Sequence, residues 1–427
     1  MRDFLPTAVR WRRELFAAVQ SVFESFGYQP LETPAIERLE TLIGPYAAEG
    51  ERLIYRVLKR GDDASGGEID LGLRYNFTVP LARVVAEHPG KIGGVFKAYQ
   101  IGPVWRADRP GKGRFRESYH CDVDIVGTTS PLADAESVVV LAESLRSLGL
   151  SDLTVAVNSR KVLAGLVEAY RLPDRLNPAT LNLAARLARA NGDADEAERV
   201  DHGQEAVVLD PLVEDLKRPD ASDRLRMRLQ SCSTGLEGLA EIDGIRALAE
   251  PALRAGRVVF DPLLARGLDY YTGFIFEIRT PRSSAALALG GRYDGLIGLF
   301  ADRPVPACGG SLYMDRIALL LEEPEHEANS PAQVLVTVWD QYSRLASLRL
   351  AAELRERGID TELFLGDGAV GRQLRYASQR RIPFAVILGP DEVSNGTVLI
   401  KELATSTQEN ITRENVAKVL ESRIAAR

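Results

Sequence analysis

Between residues 8 and 26 apolar side chains recur every three or four positions, with Leu15, Val19, Val22, Phe23 and Phe26 on one face. Pro6-Thr7 precede this run and Gly27 follows it, so the spacing predicts an amphipathic helix with a defined start and stop. LETPAIE (31–37) comes next, and Pro34 lacks the N–H that a central strand needs, which puts the segment at a strand edge or an interface. VFKAYQIGPVWR (95–106) and RESYHCDVDIVG (116–127) flank the basic turn ADRPGKGR (107–114) and predict an antiparallel hairpin. In its second strand the two-residue period sets His120, Asp122 and Asp124 on one face and Cys121, Val123 and Ile125 on the other.

Residues 131–148 and about 161–250 carry Ala, Leu, Glu and Arg at helical spacing, with polar turns at 191–196 and 217–222. The second stretch predicts a helical insertion between β-rich blocks. Those blocks resume with VVFDPLLARGLDYYTGFIFEIRT (258–280) and ALGGRYDGL (288–296), and CGGSLYMDRIALLLEE (308–323) reads as strand into helix. PEHEANSP (324–331) marks a linker. Beyond it, strands VLVTVW, TELFL, FAVILG and TVLIKEL alternate with helices at 345–357 and 370–380, the pattern of a small α/β domain with a largely parallel sheet.

A chain of 427 residues, 45% hydrophobic and 26% charged, is globular and too long for one core, so two or three domains are expected. No stretch approaches the ~18 apolar residues of a membrane span and no targeting segment is evident, which predicts a soluble protein with no membrane partner. Cys121, Cys232 and Cys308 are too few and too scattered for a disulfide framework or paired zinc ligands, which fits a reducing cytoplasm. His120, Asp122 and Asp124 do not make a metal site either, because in a regular strand they span about 13 Å at ~3.3 Å per residue.

The net charge of −7 provides no global attraction to nucleic acid, so any RNA contact must be local. Two basic clusters qualify. The hairpin loop from Arg106 to Arg116 sets five cations against one acid, Asp108, and arginine forks match phosphate oxygens. GRQLRYASQRR (371–381) gathers Arg372, Arg375, Arg380 and Arg381 on a helix. On charge count alone, both also suit a solvated surface.

Five blocks, LRYNFTVPLAR (73–83), VWRADRPGKGRFRESYHCDVDIVG (104–127), RGLDYYTG (266–273), GGRYDGL (290–296) and GGSLYMDR (309–316), resemble in order the signatures of histidyl-tRNA synthetases. The likeness runs from RDFLP (2–6) to the C-terminal ILGPDE and VLIKEL, and RGLDYY is its most specific piece. It implies an α+β class II synthetase fold, with an antiparallel-sheet catalytic domain over 1–325 carrying the helical insertion and an α/β anticodon-binding domain over 331–427. It implies a homodimer formed through the first helix and Pro34, with ATP, Mg²⁺, histidine and the histidine tRNA as substrates and partners. Arg106 and Arg266 take the catalytic positions, and Arg106, Arg114 and Arg316 those that hold ATP. The amino-acid pocket falls on Asn76, Thr78, His120, Asp124, Arg266, Tyr270, Tyr271 and Leu289. The tRNA contacts fall on Arg109, Lys112, Arg372 and Arg375.

That chemistry needs fixed cations more than an acid or base, because a carboxylate attacks a phosphate and two anions must meet. Several positions depart from the family pattern. Asn76 stands where an acid usually holds the substrate's ammonium group, His120 where a glutamine stands, and Ser118 where a phenylalanine stacks on adenine. Leu289 replaces a small residue, and Gly111 a glutamine near the tRNA end. An enzyme of this fold acting on another small acid, and a non-catalytic regulatory relative, are the competing expectations.

Overall fold

The computed structural model describes residues 1–43, 53–58, 70–107, 109–111, 113–172, 211–218, 220–265, 270–301, 303–321 and 330–426. They divide into two compact units, Met1–Asp3 with Arg12–Glu323, and Phe4–Trp11 with Pro324–Arg427. The 324–329 part of the expected linker, the 191–196 turn and Arg266–Asp269 of the RGLDYY block lie outside the described residues, as does the insertion from 173 to 210.

In chain order the first elements are α1 (Pro6–Ser25), β1 (Gln29–Pro30), β2 (Ile36–Arg38), α2 (Leu39–Ile43), β3 (Arg56–Val57), β4 (Leu71–Leu73) and α3 (Thr78–Glu87). The hairpin is β5 (Phe96–Trp105) and β6 (Glu117–Val126), followed by α4 (Pro131–Ser147), β7 (Thr154–Ser159) and α5 (Arg160–Ala169). After a helix at 211–216 come α6 (Ala221–Leu229), α7 (Ser233–Ala249), β8 (Arg257–Phe260), β9 (Phe274–Arg279), β10 (Ala288–Arg292), β11 (Ala307–Tyr313) and α8 (Met314–Leu321).

Eight strands form one sheet in the order β1-β5-β6-β11-β10-β9-β7-β8. Only the outer pairs, β1 with β5 and β7 with β8, run parallel. Strands β7 and β8 are separated in sequence by the helical insertion, which supplies the long crossover that parallel pairing requires. Pro34 falls between β1 and β2 and is exposed, so it interrupts no ladder. The apolar alternates of β6, Cys121, Val123 and Ile125, are buried in the main core together with Val138, Leu141 and Leu145 of α4.

An internal ion pair ties that helix to the sheet. Arg292 at the end of β10 reaches Asp134 in the first turn of α4 at 2.6 Å, and also donates to the Thr128 carbonyl at 3.1 Å and to Asp294 at 2.9 Å. Removing one partner of such a buried pair strands the other, which costs about 3–5 kcal/mol.

The second unit contains β12 (Val334–Val336), α9 (Arg344–Glu356), β13 (Thr361–Leu363), α10 (Val370–Gln379), β14 (Phe384–Ile387), α11 (Pro390–Asn395), β15 (Thr397–Glu402), β16 (Gln408–Thr412) and α12 (Val416–Ala425). Its sheet runs β13-β12-β14-β15-β16 and is mixed rather than largely parallel, since β14–β15 and β15–β16 are antiparallel. The reason is connection length. Strands β12, β13 and β14 are joined by whole helices, whereas one short helix ending at left-handed Gly396 joins β14 to β15 and a tight turn joins β15 to β16. The basic helix also stops early. Arg380 is its C-cap and Arg381 takes a positive φ of 54° ahead of Ile382-Pro383, which cannot continue a helix. Arg380 turns back to donate to the Tyr376 hydroxyl at 2.8 Å.

Candidate active site

The strand register brings the polar face of β6 against β11, pairing His120 with Tyr313, Asp122 with Ser311 and Asp124 with Gly309. A Cβ at position 309 would lie 2.4 Å from Asp124 Oδ1 and 2.3 Å from the Val123 carbonyl, so only glycine leaves room for that carboxylate. Ser311 Oγ donates a short hydrogen bond to Asp122, and Tyr293 donates one to Asp124. The ring of His120 meets Tyr313 edge-on with centroids 4.7 Å apart.

These side chains line a small cavity with Asn76, Thr78, Arg106, Tyr270, Tyr271 and Leu289, so the described residues of the expected amino-acid pocket come together. Tyr270 and Tyr271 are both buried there, with ring centroids 4.8 Å apart. The cavity measures about 20 Å³, room for little more than one water, and Leu289 forms part of its wall. Arg266 lies outside the described residues.

Asn76 precedes α3, and its Oδ1 accepts from the Val79 N–H at 3.2 Å. A backbone N–H can only donate, so this bond fixes the amide orientation and turns Nδ2 the other way. Nδ2 is buried without a hydrogen-bond partner, on a residue 4% exposed. The position therefore offers the cavity a donor, where a carboxylate would offer an acceptor.

Burial pushes the Asp122 carboxyl up to about 7 against the opposing pull of Ser311, Arg106 and Arg74. Burial first, and then the charge of Asp122, push Asp124 up to about 8. Two such carboxyls side by side are protonated in part at neutral pH and await a cation or a hydrogen-bond donor. Burial, then Arg106 and Arg316, hold His120 well below the ordinary imidazole range, so its ring is neutral.

A second cavity adjoins the first and is lined by Arg106, Gly113, Arg114, Phe115, Ser118, Tyr119, His120, Tyr313, Asp315 and Arg316. Arg106 Nε donates to the Tyr75 carbonyl at 2.9 Å. Arg316 lies over the Tyr313 ring at 4.2 Å and donates to the Ala286 carbonyl at 2.7 Å. Burial, with the like charges of Arg106 and Arg114, eases Arg316 toward its neutral form, opposed by Tyr313. The turn at 111–114 closes by reciprocal hydrogen bonds between Gly111 and Arg114, with Gly113 in the left-handed region at φ 72° beside Arg316. That turn carries Arg114 to the cavity, while Arg109 is exposed and Lys112 lies outside the described residues. Such a concentration of guanidinium groups fits a polyphosphate.

Asp315 organises the rim. It accepts from Arg2 at 2.7 Å and Arg12 at 3.0 Å on one oxygen, and from the Tyr119 N–H at 2.8 Å on the other. Tyr119 itself stacks on Phe16 of α1, on the opposite face from His120. Ser311, Tyr293 and Tyr313 escaped the sequence reading. A two-residue period in CGGSLY would have put Gly309, Ser311 and Tyr313 on one face, but only the register shows that this face meets His120, Asp122 and Asp124.

Among the described residues no group of three or more His, Cys, Asp or Glu side chains could hold a metal ion. No helix among the described residues is long and apolar enough to cross a membrane. In the second unit Arg372 and Arg375 line a broad open hollow with Phe364, Leu365, Asp367 and Tyr376.

Comparison with known proteins gives a consistent picture. Residues 1–317 match the family model for histidyl-tRNA synthetase, and residues 333–423 the model for an anticodon-binding domain. A histidine–tRNA ligase of Christiangramia forsetii is 35% identical, with 96% of this chain and 95% of that protein aligned. One of Rhodopirellula baltica is 36% identical over 96% of this chain and 93% of its own length. The crystal structure of histidyl-tRNA synthetase from Nostoc sp. PCC 7120 superposes with a TM-score of 0.73 at 25% identity, covering 99% of this chain and 97% of that one. A Bacillus halodurans structure described as an ATP phosphoribosyltransferase regulatory subunit/histidyl-tRNA synthetase gives a TM-score of 0.67, also at 25% identity, over 88% of this chain and 94% of its own.

Proposed function

Because the chain belongs to the histidyl-tRNA synthetase family, with a class II catalytic domain and an anticodon-binding domain, we propose that it is a histidine–tRNA ligase, activating histidine with ATP and transferring it to tRNA. One observation carries the reading: a carboxylate-lined cavity and an arginine-lined cavity share a wall made of Arg106, His120 and Tyr313. An acyl–phosphate bond forms where an amino acid's carboxylate meets a nucleotide's α-phosphate, and the shared wall is where those two groups would meet.

In this reading Arg106 bridges the carboxylate and the α-phosphate, Arg114 and Arg316 hold the remaining phosphates, and Arg266 stands at the reacting centre. Fixed cations stabilise the charge that builds on the transferring phosphorus, and no protein nucleophile is needed. Asp124, with Tyr270 and Tyr271 beside it, receives the imidazole, and Thr78 flanks the pocket floor. ATP enters as its magnesium complex. Arg109 and Lys112 meet the acceptor end of a histidine tRNA, and Arg372 and Arg375 its anticodon arm. The protein works in the cytoplasm as a homodimer formed through α1 and the Pro34 segment.

Aminoacylation of a histidine tRNA transcript tests the reading, which requires attachment of labelled histidine dependent on both ATP and the protein. A second reading, the same chemistry on another small acid, draws support from the unpartnered Asn76 donor and the narrow cavity. Asn76→Asp distinguishes the two at the level of affinity. A carboxylate in place of the amide adds a charge-assisted bond to the ammonium group, a gain of roughly 1.5 kcal/mol, so KM for histidine should fall about tenfold. An unchanged or higher KM would remove position 76 from the recognition of the ammonium group.

A further inference from the structure

His120 is one of three residues common to both cavities, and the only one of the three that can accept a proton while neutral. Its ring nitrogens are both engaged. Nδ1 lies 3.2 Å from Ser311 Oγ, and Nε2 lies 3.3 Å from Ser118 Oγ. Proton counting then fixes the tautomer. Once Asp122 is ionised, above about pH 7, Ser311 gives its one hydroxyl proton to that carboxylate, so the contact with Nδ1 forms only if Nδ1 carries a hydrogen and donates to Ser311. A neutral ring protonated on Nδ1 has its lone pair on Nε2, and Ser118, donating to Nε2, marks the direction in which it points. The ring is 1% exposed and braced edge-on by Tyr313, so it has little freedom to turn.

We propose that His120 is the proton acceptor for acyl transfer, held with its Nε2 lone pair toward Ser118 and the arginine-lined cavity by the chain His120 Nδ1, Ser311, Asp122. The inference rests on the ligase reading above. In the step it serves, the ribose hydroxyl oxygen at the tRNA end bonds to the acyl carbon of the adenylate. The carbon–oxygen bond to AMP breaks, and its electron pair leaves on the phosphate. The hydroxyl proton passes to Nε2, with the incoming hydroxyl taking the place of Ser118. Arg106 and Arg316, whose charges disfavour a protonated ring, keep the imidazolium short-lived, so the proton moves on to solvent or to the released phosphate. Ser311 and Asp122 touch neither reacting group and act as positioning residues.

Two measurements on the full-length protein decide it. The first is histidine-selective ¹⁵N NMR of the wild type, with the His120 signals identified by their loss in His120→Gln. The chain contains four histidines, so the spectrum is tractable. A neutral Nδ1–H tautomer is expected at about pH 8–9, where Asp122 is ionised, and Ser311→Ala should release it. The second is single-turnover transfer from preformed adenylate to tRNA. His120→Gln should slow transfer by about 10²-fold, well beyond its effect on adenylate formation. Added imidazole should restore transfer to His120→Ala, which leaves space for it, and not to His120→Gln. An Nε2–H tautomer, or a His120→Gln variant whose transfer falls no more than its adenylation while the wild type charges tRNA, overturns this inference alone. A wild-type protein that charges no tRNA overturns the ligase reading and this inference with it.

Discussion

Alanine at Arg106 is expected to lower histidine-dependent exchange of pyrophosphate into ATP by about 10²–10³-fold, a loss of ~3–4 kcal/mol in the transition state. Its guanidinium belongs to both cavities, and its Nε is committed to the Tyr75 carbonyl, so the rest of the fork is aimed rather than free to wander. A cation held in that way stabilises developing phosphate charge without having to reorganise. Lysine should not substitute, since a point charge on a flexible stem loses both the backbone anchor and the bidentate fork. The loss should fall mainly on kcat, and the variant's melting temperature should stay near that of the wild type. A variant exchanging within threefold of the wild type would remove Arg106 from the chemistry.

Asp124→Asn should have the second large effect, in opposite directions on stability and on function. A carboxyl whose folded pKa lies above its unfolded value favours folding through its protonated form. That contribution is complete below the unfolded value near 4 and is lost as pH rises toward the folded value of about 8. At pH 8 the empty wild-type protein therefore carries a penalty that asparagine does not. The variant should be more stable at pH 8 by on the order of 2–4 kcal/mol, with the gain gone at pH 4, as read from denaturant midpoints at the two pH values. Tyr293 can still donate to the amide oxygen, so the packing is kept. Histidine binding should weaken at least tenfold, because the carboxylate that faces the cavity is lost. The wild-type residue is then retained at a cost in stability for the sake of the site. Equal stability of the two proteins at pH 8 would contradict a raised Asp124.

Much of this architecture was legible in the residues. The first helix, the β5–β6 hairpin, α4 and the strand–helix alternation of the second unit all follow from apolar period and from turn residues. The period of two in SYHCDVDIV correctly set His120, Asp122 and Asp124 on one face, which is the face that lines the first cavity. What remained hidden depends on pairing across long sequence distances. Nothing near Ser311 announces that it stands opposite Asp122, and nothing near Asn76 announces that Val79 claims its carbonyl oxygen and leaves its amide nitrogen turned inward. Strand β7, in DLTVAVNS, was missed because it sits between two strongly helical stretches. The antiparallel half of the second sheet was missed because its connections are short turns rather than helices, a distinction that alternating strand and helix text does not reveal. The substituted positions were visible one by one. Their effect was not, since it comes from Asn76, His120, Leu289 and two buried carboxyls facing one cavity of about 20 Å³.

In the proposed function, the convergence of Arg106, Arg114 and Arg316 beside the Asp122–Asp124 cavity is what activates the amino acid. Pyrophosphate exchange into ATP by the purified protein, run against a panel of amino acids and small carboxylic acids, measures that step with no tRNA present. Exchange that depends on histidine and rises further in Asn76→Asp is the predicted result. Exchange with another acid but not with histidine would contradict the histidine assignment, and no exchange with any acid would contradict the activation chemistry itself.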